Sequence, residues 1–320
     1  SEMCIRDRKY IMHVLGYYKK KNRVMYLWCK KYLSFYFLLQ SARRKDKKKF
    51  LFCWNRGLGD ISLGLYGICV RVRKFIPEAE IYFLTRKDLA EAFQLLPRVH
   101  ILVDKDWKRG CPIDIKQSLE QLHLKREDFD IIIEKPDPTR WLIRDIGKTI
   151  PRLSWQQEWD GLSNRFSLPS DCMGVHINTE TGNYYGYEKN WPVDSWKNLF
   201  ESIRKKGKKI ILFGLESKDE FANSGCIDLC GQTTIFEALS IIKNHCNILI
   251  APDSGILSLM YYVDCNFPLR IISLWADAKQ GILRQKVASP NQDLKHIPLI
   301  ASKKCLANIT VAPVSYTHLT

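Results

Sequence analysis

The feature that most constrains the fold of this chain is a repeated alternation. From residue 49 onward, short apolar runs rich in β-branched and aromatic residues take turns with segments of helical period. "KFLFCW", "EIYFL", "HILV" and "FDIIIE" read as strands, and residues 61–75, 87–95, 113–124 and 139–147 between them read as helices. Strands that are apolar along their whole length are buried on both faces, which predicts parallel sheets covered by helices. The pattern pauses over the polar, Pro/Gly/Ser-containing residues 155–171 and restarts at "CMGVHIN". "WPVDSWKNLFESIRKKG" follows with helix start and stop signals, Pro192 and Asp194 at one end and Gly207 past the other. "KKIILFG", "CIDLC", "CNILIAP" and "LRIISLW" complete a second set of strands. The expected fold is α/β: two Rossmann-like domains, 49–165 and 166–313, with parallel sheets facing a cleft. Ligands of such sheets bind beyond the carboxyl ends of the strands. That directs attention to residues 57–60, 178–189, 214–216 and 253–255.

Charge narrows the partners. The chain carries a formal +16, but residues 9–49 hold 13 Lys/Arg against one Asp, and residues 50–313 account for only +4. No nucleic-acid partner is expected, because such a partner needs basic residues spread over the folded body. The basic, aromatic arm, residues 9–48, has no uncharged run longer than the 11 residues from Tyr32 to Ala42. That is well short of the ~20 a spanning helix needs. It suits contact with an anionic membrane surface, or equally a solvated leader. "MCIRDR" and "VSYTHLT" read as translations of a sequencing-library transposon end, so residues 1–8 and 314–320 are set aside as artefact. The eleven cysteines show no paired C-x-x-C and no zinc spacing, and their apolar neighbours suggest buried thiols.

Three strand-end motifs can carry chemistry. "RGLGDIS" (56–62) lacks the third glycine of a dinucleotide fingerprint, having Ser62 instead, and the next strand ends without an acid. Asp60 is there either as a helix cap or as a general base. "APDSGILSL" puts Asp253, Ser254 and Gly255 at the opening of a helix, an anion site or again a cap. Lys189 in "GYEKNWP" sits in a loop just before a helix, where an ammonium could neutralise a diphosphate leaving group.

In their order and spacing these pieces resemble glycosyltransferase family 9, the lipopolysaccharide heptosyltransferase family, over residues 49–313. The resemblance rests on Gly59-Asp60, "PEAEIYFL" (77–84), Lys189-Asn190-Trp191-Pro192, "ILFGLESKDE", "LCGQTTIFEALSIIKN" and Asp253-Ser254-Gly255. It implies a GT-B fold and inverting transfer of a sugar, heptose from ADP-heptose being the family's pattern, to a lipopolysaccharide-type or other glycan acceptor. It implies no metal and no cofactor beyond the nucleotide-sugar donor. In site terms it implies Asp60 as the base, flanked by Gly57 and Gly59 in the acceptor-side loop. Thr179, Lys189, Glu216, Asp253, Ser254 and Gly255 would bind the donor, with Glu220 a competitor to Glu216. The setting implied is a bacterial cytoplasm, peripheral to the inner face of the membrane.

The chain departs from the family pattern around the donor. Ser258 stands where a His is usual, Tyr66 where a Pro is common, and "LWADA" (274–278) replaces a Phe-Gly-Pro-Thr type turn. "GNYYGY" (182–187) is an aromatic insertion before Lys189, and "CLANITVAP" looks like the approach to a final helix. Two other classes of function therefore stay open, an inactive GT-B-fold binding or scaffold protein and a nucleotide-sugar epimerase.

Overall fold

The computed structural model describes residues 27–28, 31–179 and 189–316. They form two compact units that divide between Thr149 and Ile150.

The first unit runs α1 (Ser34–Arg44), β1 (Lys49–Trp54), a π-helical turn (Ile61–Leu65) continuing into α2 (Tyr66–Phe75), and β2 (Glu80–Arg86). It continues with α3 (Lys87–Phe93), β3 (Val99–Asp104), α4 (Ile115–Gln121), β4 (Ile131–Ile133) and α5 (Pro138–Trp141). The sheet is parallel in the order β3-β2-β1-β4, with Lys49 opposite Glu80 and Phe50 opposite Ile131. Phe50, Phe52, Phe83 and Phe93 are fully buried, and Phe52 stacks on Phe83 at 5.5 Å. Helix α1 belongs to this core. Phe35, Leu38, Leu39 and Ala42 are buried, and Phe35 stacks on Trp141 at 4.6 Å. The stretch assigned to a separate arm, 9–48, therefore folds in part with this unit. From Ser34 on, its buried face packs on Phe52 of the sheet and on Trp141. Residues 9–26 of that arm lie outside the described residues.

The second unit holds β5 (Cys172–His176), α6 (Val193–Lys205), β6 (Ile210–Phe213), β7 (Ile227–Asp228), α7 (Ile235–His245) and β8 (Cys246–Pro252). Then follow α8 (Gly255–Tyr262), β9 (Leu269–Trp275), α9 (Gly281–Gln285), β10 (Leu294–Ile300) and α10 (Val311–Tyr316). The sheet is parallel in the order β10-β9-β8-β5-β6-β7. Its core gathers Trp196, Leu199, Phe200 and Ile203 from α6 over Val175, Ile250 and Ile272, and Val314 of α10 joins it.

The unit boundary falls earlier than the 165/166 read from the sequence. The reason is the 3₁₀ segment Gln157–Phe166, which packs on α7. Ser163 N–H donates to Ser240 Oγ (3.2 Å), and the Arg165 guanidinium grips the Glu237 carboxylate at 2.5 and 2.8 Å. Glu237 also closes a capping box: its carboxylate accepts from Thr234 N–H, and Thr234 Oγ1 accepts from Glu237 N–H. No described helix is long and apolar enough to cross a membrane. The nine described cysteines are unpaired, and Cys53, Cys69, Cys172, Cys230 and Cys246 are buried.

Candidate active site

In each sheet the strand order reverses beside the unit's first strand. In the first unit this switch point lies between β1 and β4, and in the second between β5 and β8. The crevice at such a point, beyond the carboxyl ends of the strands, is where open α/β sheets bind ligands. Residues 57–60, Lys189 and residues 253–255 follow strands that flank these points.

Beyond β1, the loop of Arg56 to Asp60 is pinned from below: Trp54 Nε1 donates to Gly57 O (3.3 Å) and Arg86 Nη2 to Arg56 O (3.4 Å). Arg86 is itself buried, pairs with Asp88 at 3.0 Å, and burial holds its guanidinium below the usual range. Asp60 precedes the π-helical turn with its backbone already in the right-handed helical region (φ −66°, ψ −18°), and its side chain makes no cap hydrogen bond. A capping side chain needs an extended N-cap backbone to reach the free N–H groups. The helix-cap explanation of this residue thus fails in the structure. A Cβ on Gly57 would lie 3.0 Å from Asp60 Oδ2, so the carboxylate folds back over this glycine. Gly59 O accepts from Leu63 N–H (3.0 Å) and Ser62 Oγ (3.1 Å), closing the turn. A π-helical turn is uncommon and tends to mark functional sites. Gly64 within it lets Pro138 of α5 approach to where a Cβ would stand 2.6 Å away.

In the second unit the structure brings Lys189 and Asp253 together, Nζ to Oδ2 at 2.7 Å, with the two side chains only 11% and 10% exposed. They come from different strand ends, Asp253 directly after β8 and Lys189 after the loop that follows β5. Residues 180–188 of that loop, including the aromatic insertion, lie outside the described residues. Its mouth is tied shut by Asn190, whose Oδ1 accepts from Thr179 N–H (2.8 Å) and whose Nδ2 donates to Thr179 O (3.3 Å). Next to it, the Asn178 amide donates to Ile177 O and accepts from Lys218 Nζ, both at 2.9 Å. Ser254 caps α8, its Oγ accepting from Leu257 N–H (3.2 Å), and Gly255 opens that helix. Ser258, at the position of the expected His, is buried and donates back to Ser254 O (3.0 Å), so its hydroxyl is used inside the helix. Glu216 lies exposed on the turn after β6, one strand to the other side of β5, and Glu220 is exposed in the 3₁₀ turn beyond it. Among the described residues no group of three or more His, Cys, Asp or Glu is placed to hold a metal ion.

Sequence reasoning missed several neighbours of this site. Gly281, with φ +41°, brings the turn before α9 against Asp253, where a Cβ would fall 2.5 Å from Oδ1 and 2.7 Å from the Trp275 ring. That ring is fixed by a relay: Trp275 Nε1 donates to Ser273 Oγ (2.5 Å), which is hydrogen-bonded to His296 Nε2 at 2.6 Å. His176 ends β5 and is buried, with its Nδ1 unpartnered. No local pattern signals either group, because both are made by strand adjacency.

Burial pushes His176 and His296 down to about 4, against an ordinary 6.5. The folded state thus prefers both rings neutral, while the unfolded chain takes up protons first as pH falls. Their contribution to stability is whole above pH 6.5 and is lost as pH falls towards 4. For the fully buried His176 the loss is about 3 kcal/mol at 1.36 kcal/mol per pKa unit. Urea midpoints measured from pH 7.5 to 4.5 should fall over this window, and His176→Leu should flatten the decline.

Residues 173–262 match the sequence model of glycosyltransferase family 9 (heptosyltransferase), a span that includes Thr179, Lys189, Glu216, Asp253, Ser254 and Gly255. No curated protein matches the chain. Among solved structures it is similar to ADP-heptose lps heptosyltransferase II of E. coli, 16% identical with a TM-score of 0.58 over 85% of this chain and 98% of that one. It is also similar to a family 9 glycosyl transferase of Veillonella parvula (14%, TM-score 0.52, 83% and 94% covered). A third similar structure is E. coli heptosyltransferase WaaC with ADP-2-deoxy-2-fluoro heptose (12%, TM-score 0.51, 84% and 98% covered). At these identities the likeness is one of fold, and the fold is GT-B. With the family match on the second unit, the class is that of the GT-B glycosyltransferases. Within it, residues 173–262 match family 9, the family its motifs led one to expect.

Proposed function

We propose that the protein transfers a heptose from a nucleotide-diphosphate donor to a hydroxyl of a lipopolysaccharide-type acceptor, with inversion at the anomeric carbon. The observation that carries this reading is the Lys189–Asp253 pair at the β5/β8 switch point. An ammonium held in a poorly solvated site can take the charge that develops on a departing diphosphate. The carboxylate next to it can accept hydrogen bonds from sugar hydroxyls. Lys218, tethered to Asn178 at the mouth of the same loop, supplies a second cation for the phosphates. Asp60 removes the proton of the attacking hydroxyl. The leaving group is then stabilised by side chains and backbone N–H groups rather than by a metal. Exposed Leu27, Trp28 and Tyr36, in a segment that also carries Lys31, Arg43 and Arg44, offer a surface for a membrane-borne acceptor.

Thermal-shift measurements on the purified protein with ADP- and UDP-sugars test the donor site. A donor at 100 times its Kd should stabilise the protein by about 2.7 kcal/mol. Absence of any shift across the series overturns the assignment. A shift without release of nucleoside diphosphate in the presence of glycan acceptors would favour a binding protein instead.

A further inference from the structure

Gln280 is 6% exposed, and neither its Oε1 nor its Nε2 has a hydrogen-bond partner. Leaving both ends of a buried amide unpaired costs free energy that a folded chain rarely bears without a use. The residue after it, Gly281, is the one packed against Asp253 Oδ1, which puts the backbone of Gln280 one residue from a contact with the carboxylate that pairs with Lys189. The turn is held firmly, since Gly281 also meets the Trp275 ring fixed by Ser273 and His296. It follows directly on "LWADA", the segment in which this chain departs from its family.

We propose that Gln280 is a specificity residue that reads a pair of hydroxyls on the donor sugar. This rests on the donor-site reading above. An amide missing both a donor and an acceptor is satisfied by a group that can do both, as vicinal sugar hydroxyls can. Phosphate oxygens only accept at neutral pH and leave Oε1 unpaired. Asp253, against which the next residue packs, accepts from hydroxyls as well, and that chemistry also favours a polyhydroxylated ring over the diphosphate.

Gln280→Met, close in shape and without the amide, separates the possibilities. Without ligand, the melting temperature of the variant should rise by about 2–4 °C, because an unpaired buried amide is gone. Its affinity for nucleotide-sugars should fall about 10- to 100-fold, while its affinity for the bare nucleoside diphosphate stays at the wild-type value. Gln280→Leu should behave alike and guards against a packing defect peculiar to Met. A lower melting temperature in both variants assigns the amide a structural role and overturns the proposal. Equal weakening towards the bare nucleoside diphosphate overturns it too, placing the contact on the base or phosphates. If wild-type protein binds nucleotide-sugars and both variants bind them equally well, only the role of Gln280 fails. If wild-type protein binds none, the donor-site reading fails and this inference with it.

Discussion

Lys189→Met is expected to destabilise the second unit by about 3–5 kcal/mol, the cost of leaving a buried carboxylate without its counter-ion. Asp253 is 10% exposed and its Oδ2 lies 2.7 Å from Lys189 Nζ, so little solvent is available to replace the ammonium. Asp253→Asn added to this variant removes the stranded charge and should recover most of the loss, giving a large favourable coupling energy in a double-mutant cycle. Urea unfolding of the wild type, the two single variants and the double variant measures it. Donor binding should not recover with stability. On the proposed reading the double variant lacks a cation for the diphosphate and a carboxylate for the sugar, and turnover should stay down by about 100-fold or more. Additive losses in the cycle would show that the two side chains do not depend on each other in solution. Restored turnover in the double variant would show that the pair is structural only.

The need for two strand ends to meet explains what the sequence could and could not reveal. Strand β1 and the helical stretch 61–75 were readable because their signals are local: five consecutive apolar or aromatic positions after Lys49, then a helical period. The π-helical opening of that stretch was not, since one extra residue per turn leaves no mark on an apolar pattern. Strand β10 escaped because Lys295, His296 and Pro298 interrupt the apolar residues of "LKHIPLI". It is the edge strand beside β9, the one place where a proline lacking its N–H does no harm to the ladder. Helix α1 was hidden by the basic residues on its flanks, although Phe35 and Leu39 were already there to bury. Lys189 and Asp253 could be named separately as strand-end residues, but their contact depends on β8 lying next to β5, a fact of topology. Gln280 had no signal at all. A glutamine in a loop is ordinary until burial leaves its amide without a partner.

Asp60→Asn is expected to lower turnover by about 100- to 10,000-fold, the usual worth of a positioned general base, while leaving the fold intact. The amide has the shape of the carboxylate but cannot take the proton of an attacking hydroxyl. No helix-cap bond is lost, because the Asp60 side chain makes none to the turn it precedes. A cap residue replaced in this way would show the opposite pattern, a stability loss with turnover retained. The geometry of the loop supplies a second handle. A methyl on Gly57 would stand 3.0 Å from Asp60 Oδ2, tight enough to force the carboxylate aside. Gly57→Ala should therefore depress kcat with only a modest change in melting temperature, since Gly57 does not need a left-handed backbone. The pH profile separates displacement from simple damage. Loss of the base in Asp60→Asn removes the acidic limb of the kcat profile, whereas Gly57→Ala should keep that limb and shift it. Full turnover in Asp60→Asn would move the base elsewhere and leave this carboxylate without an assigned role.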